Sequence, residues 1–221
     1  MRINKFIALA SDLSRRQADA AIAEGRVLVN GQNPAAGQAI ADADVVTLDG
    51  QPITPAVKTT IMLNKPIGYV CSRDGQGSQT IYDLLPPEYQ HLNPVGRLDK
   101  NSSGLLLLTN DGDLANLLTH PSHQKQKVYE VVLKEPLQPL HRQMIQDHGV
   151  QLEDGNSQFQ IDRPDIATPD DRDWVVTMHE GRNRQIRRTF QALGYEVIKL
   201  HRTQFGPYTL GALSTGKVTE L

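Results

Sequence analysis

The segment between residues 96 and 112 carries the side chains best suited to chemistry. It reads Gly-Arg-Leu-Asp at residues 96–99 and Gly-Leu-Leu-Leu-Leu at residues 104–108. The apolar run indicates a buried strand and places the carboxylate of Asp99 at the edge of the core. A carboxylate in that position can act as a nucleophile or as a base. Aspartate near a turn more often forms the turn or caps a helix, so the pattern alone leaves both interpretations open.

A basic segment follows an acidic one in the last third of the chain. Residues 177–202 hold six Lys or Arg against two Glu, whereas residues 153–173 hold seven acids against two Arg. The net charge of the chain is −2, so the overall charge does not indicate a nucleic-acid partner, but the charge distribution does. Glu180 is the one acid close in sequence to four arginines, which favours phosphate contacts over a solvated helix face. These arginines are Arg182, Arg184, Arg187 and Arg188.

The composition excludes several classes of protein. Cys71 is the only cysteine, so no intramolecular disulfide can form. No apolar run approaches the roughly 18 residues that a transmembrane helix needs, and the first residues lack the apolar stretch of a secretory signal. His120 and His123 flank Pro121, which would interrupt a helix carrying both as metal ligands. We therefore expect a cytoplasmic protein that does not span a membrane and has no metal site.

The length of 221 residues favours one domain with a smaller module, and residues 1–58 have the pattern of that module. Apolar residues recur at helical spacing between residues 3 and 10. Ser14 and the glutamine three residues later fit a capping box, so a second helix should begin at Arg15. Gly25 fits the left-handed cap that would end this helix. The module is expected to combine two short helices with a few strands.

Short strands are expected at residues 27–29 and 45–48, because each is apolar and is followed by Asn-Gly or Asp-Gly. The next stretch shows little periodicity and contains Pro52, Pro55 and Lys58. We interpret it as the linker to a second domain at residues 59–221.

The second domain mixes strands and helices without an internal repeat. One helix should follow Asp113 as its cap and end before Pro121, and another should cover residues 185–193. Strands outnumber helices and do not alternate with them, so we expect an α+β body with a mostly antiparallel sheet. The candidate strands are residues 60–63, 68–71, 105–109, 128–133, 174–178 and 196–200.

The motifs together resemble those of the RNA pseudouridine synthases. The family signature is similar to Gly-Arg-Leu-Asp followed by Gly-Leu-Leu-Leu-Leu-Thr-Asn-Asp-Gly. The glycine at position 96 resembles the residue found there in the RsuA-type branch, whose members modify ribosomal RNA. The resemblance continues in residues 127–129, 180–188 and 197–202, in the same order along the chain. Residues 1–58 resemble the small RNA-binding module named after ribosomal protein S-four. Several separated motifs in order are more specific than any one of them.

This resemblance implies a reaction and a set of site residues. The family breaks the bond between uracil and ribose and rejoins the base through carbon-5, which requires no redox cofactor, metal or nucleotide. Asp99 matches the family's catalytic aspartate, and Arg187 matches the basic partner that keeps it ionised and oriented. Tyr129 matches the residue that stacks on the target base, and Leu200 matches the aliphatic residue of the pocket.

We expect eleven further polar residues to bind RNA, most of them cations, which phosphate groups attract. The substrate is expected to be ribosomal RNA or a pre-ribosomal particle, and the protein is expected to be a monomer. The expected RNA-binding residues are Arg97, Arg182, Asn183, Arg184, Gln185 and Arg188, and in the first module Arg2, Lys5, Arg15, Arg16 and Arg26.

Two alternative functions belong to other classes. The first is a non-catalytic RNA-binding factor for ribosome assembly, against which the intact Asp99 and Arg187 argue. The second is a hydrolase that combines Asp99 with another carboxylate, but the acids at residues 153–173 lie in no motif and are expected in an exposed loop. Resemblance around residues 149–155 slightly favours large-subunit RNA as the substrate.

Overall fold

The structure is a computed structural model that describes residues 1–165 and 170–221. The described residues form two compact units, one of residues 1–59 and the other of residues 60–221. None of the helices in this part of the chain is long and apolar enough to span a membrane.

The first unit consists of two helices and a three-stranded antiparallel sheet. The expected capping box is present, since the Ser14 hydroxyl accepts from the backbone N–H of Gln17 and the Gln17 side chain accepts from that of Ser14. The interpretation of Pro52 as linker was wrong, because this residue pairs with Thr47 in the sheet. The elements are α1 (Ile3–Ala10), α2 (Arg15–Ala23), β1 (Val27–Val29), β2 (Val46–Leu48) and β3 (Gln51–Pro52).

The second unit is an α+β body, as expected. Its elements are β4 (Thr60–Lys65), β5 (Asn93–Pro94), β6 (Ser103–Thr109), α3 (Gly112–Thr119), β7 (Lys127–Leu133), α4 (Pro139–Gln143), β8 (Val150–Leu152), β9 (Gly155–Ser157), β10 (Gln160–Asp162), β11 (Asp173–Met178), α5 (Gln185–Ala192), β12 (Val197–Phe205), β13 (Tyr208–Thr209) and β14 (Val218–Glu220).

Nine strands of the described part of this unit form one sheet, in which β10, β11, β7, β12, β6, β4 and β14 lie in that order. Strand β5 pairs with β6, and β13 pairs with β12. The pair of β6 and β12 is parallel, and the other pairs are antiparallel. The expectation of a mostly antiparallel sheet is therefore confirmed.

Strand β6 is buried on both faces, which explains its continuous run of leucines. Leu106 and Leu108 belong to the larger hydrophobic core, which includes residues of β7, β11 and α5. Leu105 and Leu107 face the opposite side, in a second cluster with Leu118 of α3. Because β6 is packed on both faces, it supports the segment just before it, which carries Asp99.

Four local expectations differ from the structure. Asp111 rather than Asp113 caps α3, because the Asp111 carboxylate accepts from the first free N–H groups of the helix. Residues 68–71 form only an isolated bridge, at Val70. A π-helical turn follows α4 at residues 144–148, where no helix was expected. The acidic segment contains β9, β10 and the start of β11 rather than one loop, and its residues 166–169 lie outside the described residues.

Gly104 permits the parallel contact of β6 with β12, which generates a prediction about stability. Its φ is +102°, and a Cβ atom there would lie 2.2 Å from the carbonyl oxygen of Arg202. Gly104→Ala should therefore lower the free energy of unfolding by roughly 3 kcal/mol, since it combines backbone strain with overpacking. Urea denaturation measures this change.

Gly112→Ala is the matched control, because no heavy atom lies within 4 Å of its Cβ position and the residue begins α3. This variant should be as stable as the wild type or more stable, by up to about 1 kcal/mol. Equal stability of the two variants would contradict the close approach of β6 and β12.

Candidate active site

A cleft of about 410 Å³ opens in the second unit. It is lined by the segment before β6, the end of α3 and the residues after it, the start of β7, the segment between β11 and α5, and β12. Its lining includes eight of the expected site residues, namely Arg97, Asp99, Tyr129, Arg182, Asn183, Arg184, Gln185 and Leu200. Four separate motifs of the sequence therefore meet in one cavity.

A buried ammonium group holds the segment that carries Asp99. Lys65 is the last residue of β4 and is 0% exposed. Its Nζ donates to the carbonyl oxygens of Pro66 at 3.0 Å, Asp99 at 3.0 Å and Ser102 at 2.7 Å. Burial lowers the pKa of Lys65 to about 8. Three carbonyl dipoles thus stabilise a charge that burial penalises, and they fix both ends of the turn at residues 99–102.

Two backbone hydrogen bonds complete this turn. The N–H of Ser102 donates to the carbonyl of Asp99 at 3.0 Å, and the N–H of Gly68 donates to the carbonyl of Lys100 at 2.7 Å. The Asp99 backbone is held from inside the protein, while its side chain remains partly exposed to the cleft. The arrangement leaves the carboxylate free to meet a ligand.

Arg184 is the cation closest to the carboxylate in the described part of the chain. One of its terminal nitrogens lies 4.0 Å from an oxygen of Asp99. Arg184 precedes α5 and has a left-handed backbone, with φ of 48°. This conformation is uncommon for a residue with a side chain, and it costs of order 1–3 kcal/mol. This conformation places the Arg184 guanidinium beside the Asp99 carboxylate.

The expected ion pair of Arg187 with Asp99 is not among the contacts of the described residues. Arg187 instead donates to the carbonyl oxygens of Val197 at 2.6 Å and Asn101 at 2.7 Å. Burial and the charge of Arg184 lower the pKa of Arg187, and the charge of Asp99 opposes this shift. Because its guanidinium holds the backbone two residues after Asp99, Arg187 acts on the carboxylate through the turn.

Tyr129 and Leu200 form an apolar wall of the cleft. They lie in the adjacent antiparallel strands β7 and β12, where Tyr129 pairs with Arg202 and Leu200 pairs with Val131. Both side chains are largely buried and belong to the main core. An aromatic ring and an aliphatic side chain at one wall suit a planar apolar face of a ligand.

Three residues of the basic segment that are predicted to bind RNA form contacts within the protein. Asp154 forms ion pairs with Arg182 at 3.0 Å and with Arg188 at 2.7 Å. Arg182 also donates to the backbone oxygens of residues 154–156. Gln185 is buried and donates to Ser157 and to Glu180. Asp154, which is distant in sequence, pairs with both arginines, so this group holds β9 against α5, and RNA binding by these three residues stays a prediction.

Arg97 and Asn183 remain exposed at the cleft, as Arg184 does. Lys65 was not predicted from the sequence. Lys127 and Arg202 were not predicted as site residues either, although these two residues line the cleft. A lysine that ends an otherwise buried strand is the one sequence signal that could have identified Lys65. In the described part of the chain, no group of three His, Cys, Asp or Glu is arranged to hold a metal ion.

The basic residues of the first unit differ in their ion pairs and in their exposure. Arg26 forms a two-pronged pair with Asp49, with both distances 2.7 Å, and a longer contact with Glu24. Arg2, Arg15 and Arg16 are exposed on or next to the two helices. Lys5 is partly buried on α1. Arg26 is thus already paired with acids, and RNA binding by these five residues stays a prediction.

Comparison with known proteins identifies relatives of both units. The family described as RNA pseudouridylate synthase matches residues 59–192, and the family described as S4 domain matches residues 1–32. An uncharacterized RNA pseudouridine synthase of Aquifex aeolicus (strain VF5) is 40% identical, over 100% of this chain and 90% of that protein. Ribosomal large subunit pseudouridine synthase B of Bacillus subtilis (strain 168) is 37% identical, over 100% and 91%.

A solved structure described as a crystal structure of pseudouridylate synthase has a TM-score of 0.70 to this chain. It is 32% identical, and the match covers 100% of this chain and 96% of the other. The chain therefore has a known counterpart in sequence and in fold.

The Lys65 contacts generate a prediction about stability. Lys65→Met removes three hydrogen bonds from a charged donor and leaves carbonyls of the turn without a partner. We expect the free energy of unfolding to fall by about 3 kcal/mol, as urea denaturation would measure. Lys100→Met is the control on the same turn, because Lys100 is exposed and its one side-chain hydrogen bond within the described residues is to Ser78. It should change stability by less than about 0.5 kcal/mol. Equal losses in both variants would contradict the role given to Lys65.

Proposed function

Because the chain belongs to the RNA pseudouridylate synthase family, we propose that it converts one uridine of large-subunit ribosomal RNA to pseudouridine, with Asp99 as the catalytic carboxylate. The family is one of isomerases, and a relative that is 37% identical is named for the large ribosomal subunit. The observation that carries the assignment of the site is the position of Asp99. Its carboxylate lies in a cleft beside Arg184, on a turn that Lys65 holds from inside.

The proposed role of Asp99 requires the ionised carboxylate. In that form it can attack the anomeric carbon of the nucleotide or remove a proton from the sugar. Arg184 places a positive charge beside this carboxylate, and Arg187 orients the turn through Asn101. The two arginines therefore divide a role that the resemblance gave to Arg187 alone.

The proposed role of Tyr129 and Leu200 is to hold the base after it leaves the RNA stack. A uridine inside folded RNA must be extruded before its glycosidic bond can be reached, and extrusion costs a few kcal/mol of stacking and pairing. The ring of Tyr129 and the side chain of Leu200 offer an apolar surface that compensates part of this cost. Their adjacent strands keep the two side chains at a fixed separation.

The proposed RNA-binding surface consists of exposed residues that form no ion pair shorter than 4.0 Å with an acid of the described chain. At the cleft, Arg97, Asn183 and Arg184 meet this criterion better than Arg182, Gln185 and Arg188. In the first unit, the exposed Arg2, Arg15 and Arg16 meet it better than Arg26. The match of residues 1–32 to the S4 domain supports RNA binding by this unit.

The proposed chemistry predicts that Asp99→Asn abolishes turnover while RNA affinity changes little. The amide keeps the size of the side chain but can neither attack carbon nor accept a proton as a base, and most binding contacts lie elsewhere. Release of tritium from RNA labelled at carbon-5 of uridine measures turnover, and filter binding measures affinity. Substantial turnover by the Asn variant would overturn the assignment of Asp99.

Two arginine variants separate the contact with the carboxylate from the support of its turn. Arg184→Met should lower turnover about 10- to 100-fold with little change in stability, since it removes an exposed charge beside Asp99. Arg187→Met should lower turnover at least as much and should also lower the melting temperature, because it leaves two backbone carbonyls without their donor. Normal turnover in both variants would show that neither arginine supports the carboxylate.

The first unit is expected to contribute phosphate contacts, which makes RNA affinity depend on salt. In the full chain, changing Arg15 and Arg16 together to Gln should reduce the slope of log K against log salt by about 1.5 to 2, if each contacts one phosphate. Arg26→Gln is the control, because Asp49 and Glu24 already neutralise Arg26. It should leave the slope nearly unchanged. A larger effect of Arg26 than of the pair would overturn this surface.

A further inference from the structure

Arg202 is a cleft residue whose hydrogen-bonding capacity the roles proposed above do not use. It lies in β12, it lines the cleft, and it is 2% exposed. Its Nε donates to the carbonyl oxygen of Leu105 at 2.8 Å. Its Nη2 is buried and has no hydrogen-bond partner among the described residues. Buried donors are nearly always satisfied, so this nitrogen indicates a missing partner.

Ser102 provides a second, independent observation at the same cleft. It is 1% exposed and lines the cleft, and its buried Oγ also has no partner in the described part of the chain. The parallel pairing of β6 with β12 places Ser103 opposite His201 and Gly104 opposite Arg202. Ser102 directly precedes β6, and Arg202 lies in the neighbouring strand β12. Two unsatisfied polar atoms in one cleft point to a polar ligand.

The charge around Arg202 indicates that this ligand is negative. No carboxylate pairs with Arg202 within the part of the chain that the structure describes. Its guanidinium lies 4.8 Å from the centre of the Phe205 ring, and Nζ of Lys127 lies 5.4 Å from the same ring. Burial lowers the pKa of Lys127, and the charge of Arg202 lowers it further. A buried cation without a counter-ion is costly, so an anionic ligand would relieve the cost.

The position of Arg202 relates it to the base rather than to the RNA backbone. In the sheet, Arg202 pairs with Tyr129, which we propose to stack on the base. Arg97, Asn183 and Arg184 are exposed at the cleft and suit phosphate groups, which remain at the protein surface. Arg202 is almost fully buried beside the proposed base pocket, so it suits a group that enters the cleft more deeply than a phosphate does.

We propose that Arg202, together with Ser102, binds a carbonyl oxygen of the extruded uracil and stabilises the negative charge that the base acquires during the reaction. The proposal rests on the function proposed above. When the bond between C1′ and N1 breaks, its electron pair stays on the base, which becomes an anion with charge shared by N1, O2 and O4. Formation of the bond between C1′ and C5, loss of the C5 proton and protonation of N1 then restore the original composition.

Arg202 accepts no proton in these reaction steps, because a guanidinium group stays protonated. Its contribution is electrostatic and increases as the base becomes negative, so it acts on the transition state more than on the bound substrate. The expected signature is a loss of kcat that exceeds any loss of affinity.

The test compares Arg202→Met and Arg202→Lys with the wild type in the full-length protein. Turnover is measured with RNA that contains the target uridine, and affinity is measured with the same RNA carrying an abasic site at that position. We expect Arg202→Met to lower kcat by about 100-fold or more. We expect its affinity for abasic RNA to stay within about 2-fold of the wild type, because no base is present to contact. Arg202→Lys should retain more turnover than Arg202→Met.

The matched control is Arg142→Met, since Arg142 also donates to a backbone carbonyl and lies over the ring of Trp174 but is not a cleft residue. Its turnover should equal that of the wild type. The melting temperature separates chemistry from structure. Arg202→Met loses the hydrogen bond to the Leu105 carbonyl but also removes a buried unpaired charge, and because these effects oppose each other it should melt within a few degrees of the wild type.

Three results would overturn the proposal. Weaker binding of abasic RNA by Arg202→Met, with a smaller salt slope, would assign Arg202 to a phosphate. Equal turnover of Arg202→Met and the wild type would remove it from the reaction. A large loss of melting temperature in both Arg202 variants would make it a structural residue. Inactivity of the wild type and of Arg142→Met on the same RNA would instead contradict the proposed function itself.

Discussion

The position of Asp99 depends on the buried ammonium group of Lys65. Burying a charge in a protein is costly unless hydrogen bonds compensate for it, and here three carbonyl oxygens do so. Two of these carbonyls belong to the turn that presents Asp99 and Ser102 to the cleft. The hydrogen bonds that stabilise the buried charge of Lys65 therefore also fix the backbone of Asp99, the proposed catalytic residue. Arg187 supports the same turn from the other side through Asn101. A carboxylate on so constrained a backbone needs little reorganisation when a substrate arrives.

The cations near the cleft fall into two groups, which overall charge does not distinguish. Arg182 and Arg188 are paired with Asp154 and stabilise the contact between β9 and α5. Arg202 and Lys127 lie over one aromatic ring, and no acid of the described chain pairs with Arg202. A near-neutral protein can thus bind a polyanion, because its acids neutralise scaffold arginines and leave other cations available. The same division holds in the first unit, where Asp49 pairs with Arg26 but not with Arg16.

The sequence predicted features whose physical cause is local. The capping box at Ser14 joins residues three apart, and the leucine run of β6 records burial on both faces of one strand. The contacts that set the site are not local. Lys65 reaches Ser102 across 37 positions, and Arg188 reaches Asp154 across 34. Sequence neighbours of the arginines gave no sign of Asp154, so its ion pairs with Arg182 and Arg188 could not be predicted. The same limit explains why Arg187 was expected to contact Asp99 directly, whereas Arg184 lies closer.

The central claim is that this cleft isomerises a uridine of large-subunit ribosomal RNA and that Asp99 is required. The most direct measurement maps pseudouridine along all ribosomal RNA from cells with the gene, cells without it, and cells that carry only the Asp99→Asn form. If Asp99 is the catalytic carboxylate, one position in large-subunit RNA should lose pseudouridine without the gene, regain it with the wild-type gene, and remain uridine with the Asn form. An unchanged map in cells without the gene, or restoration by the Asn form, would contradict this claim.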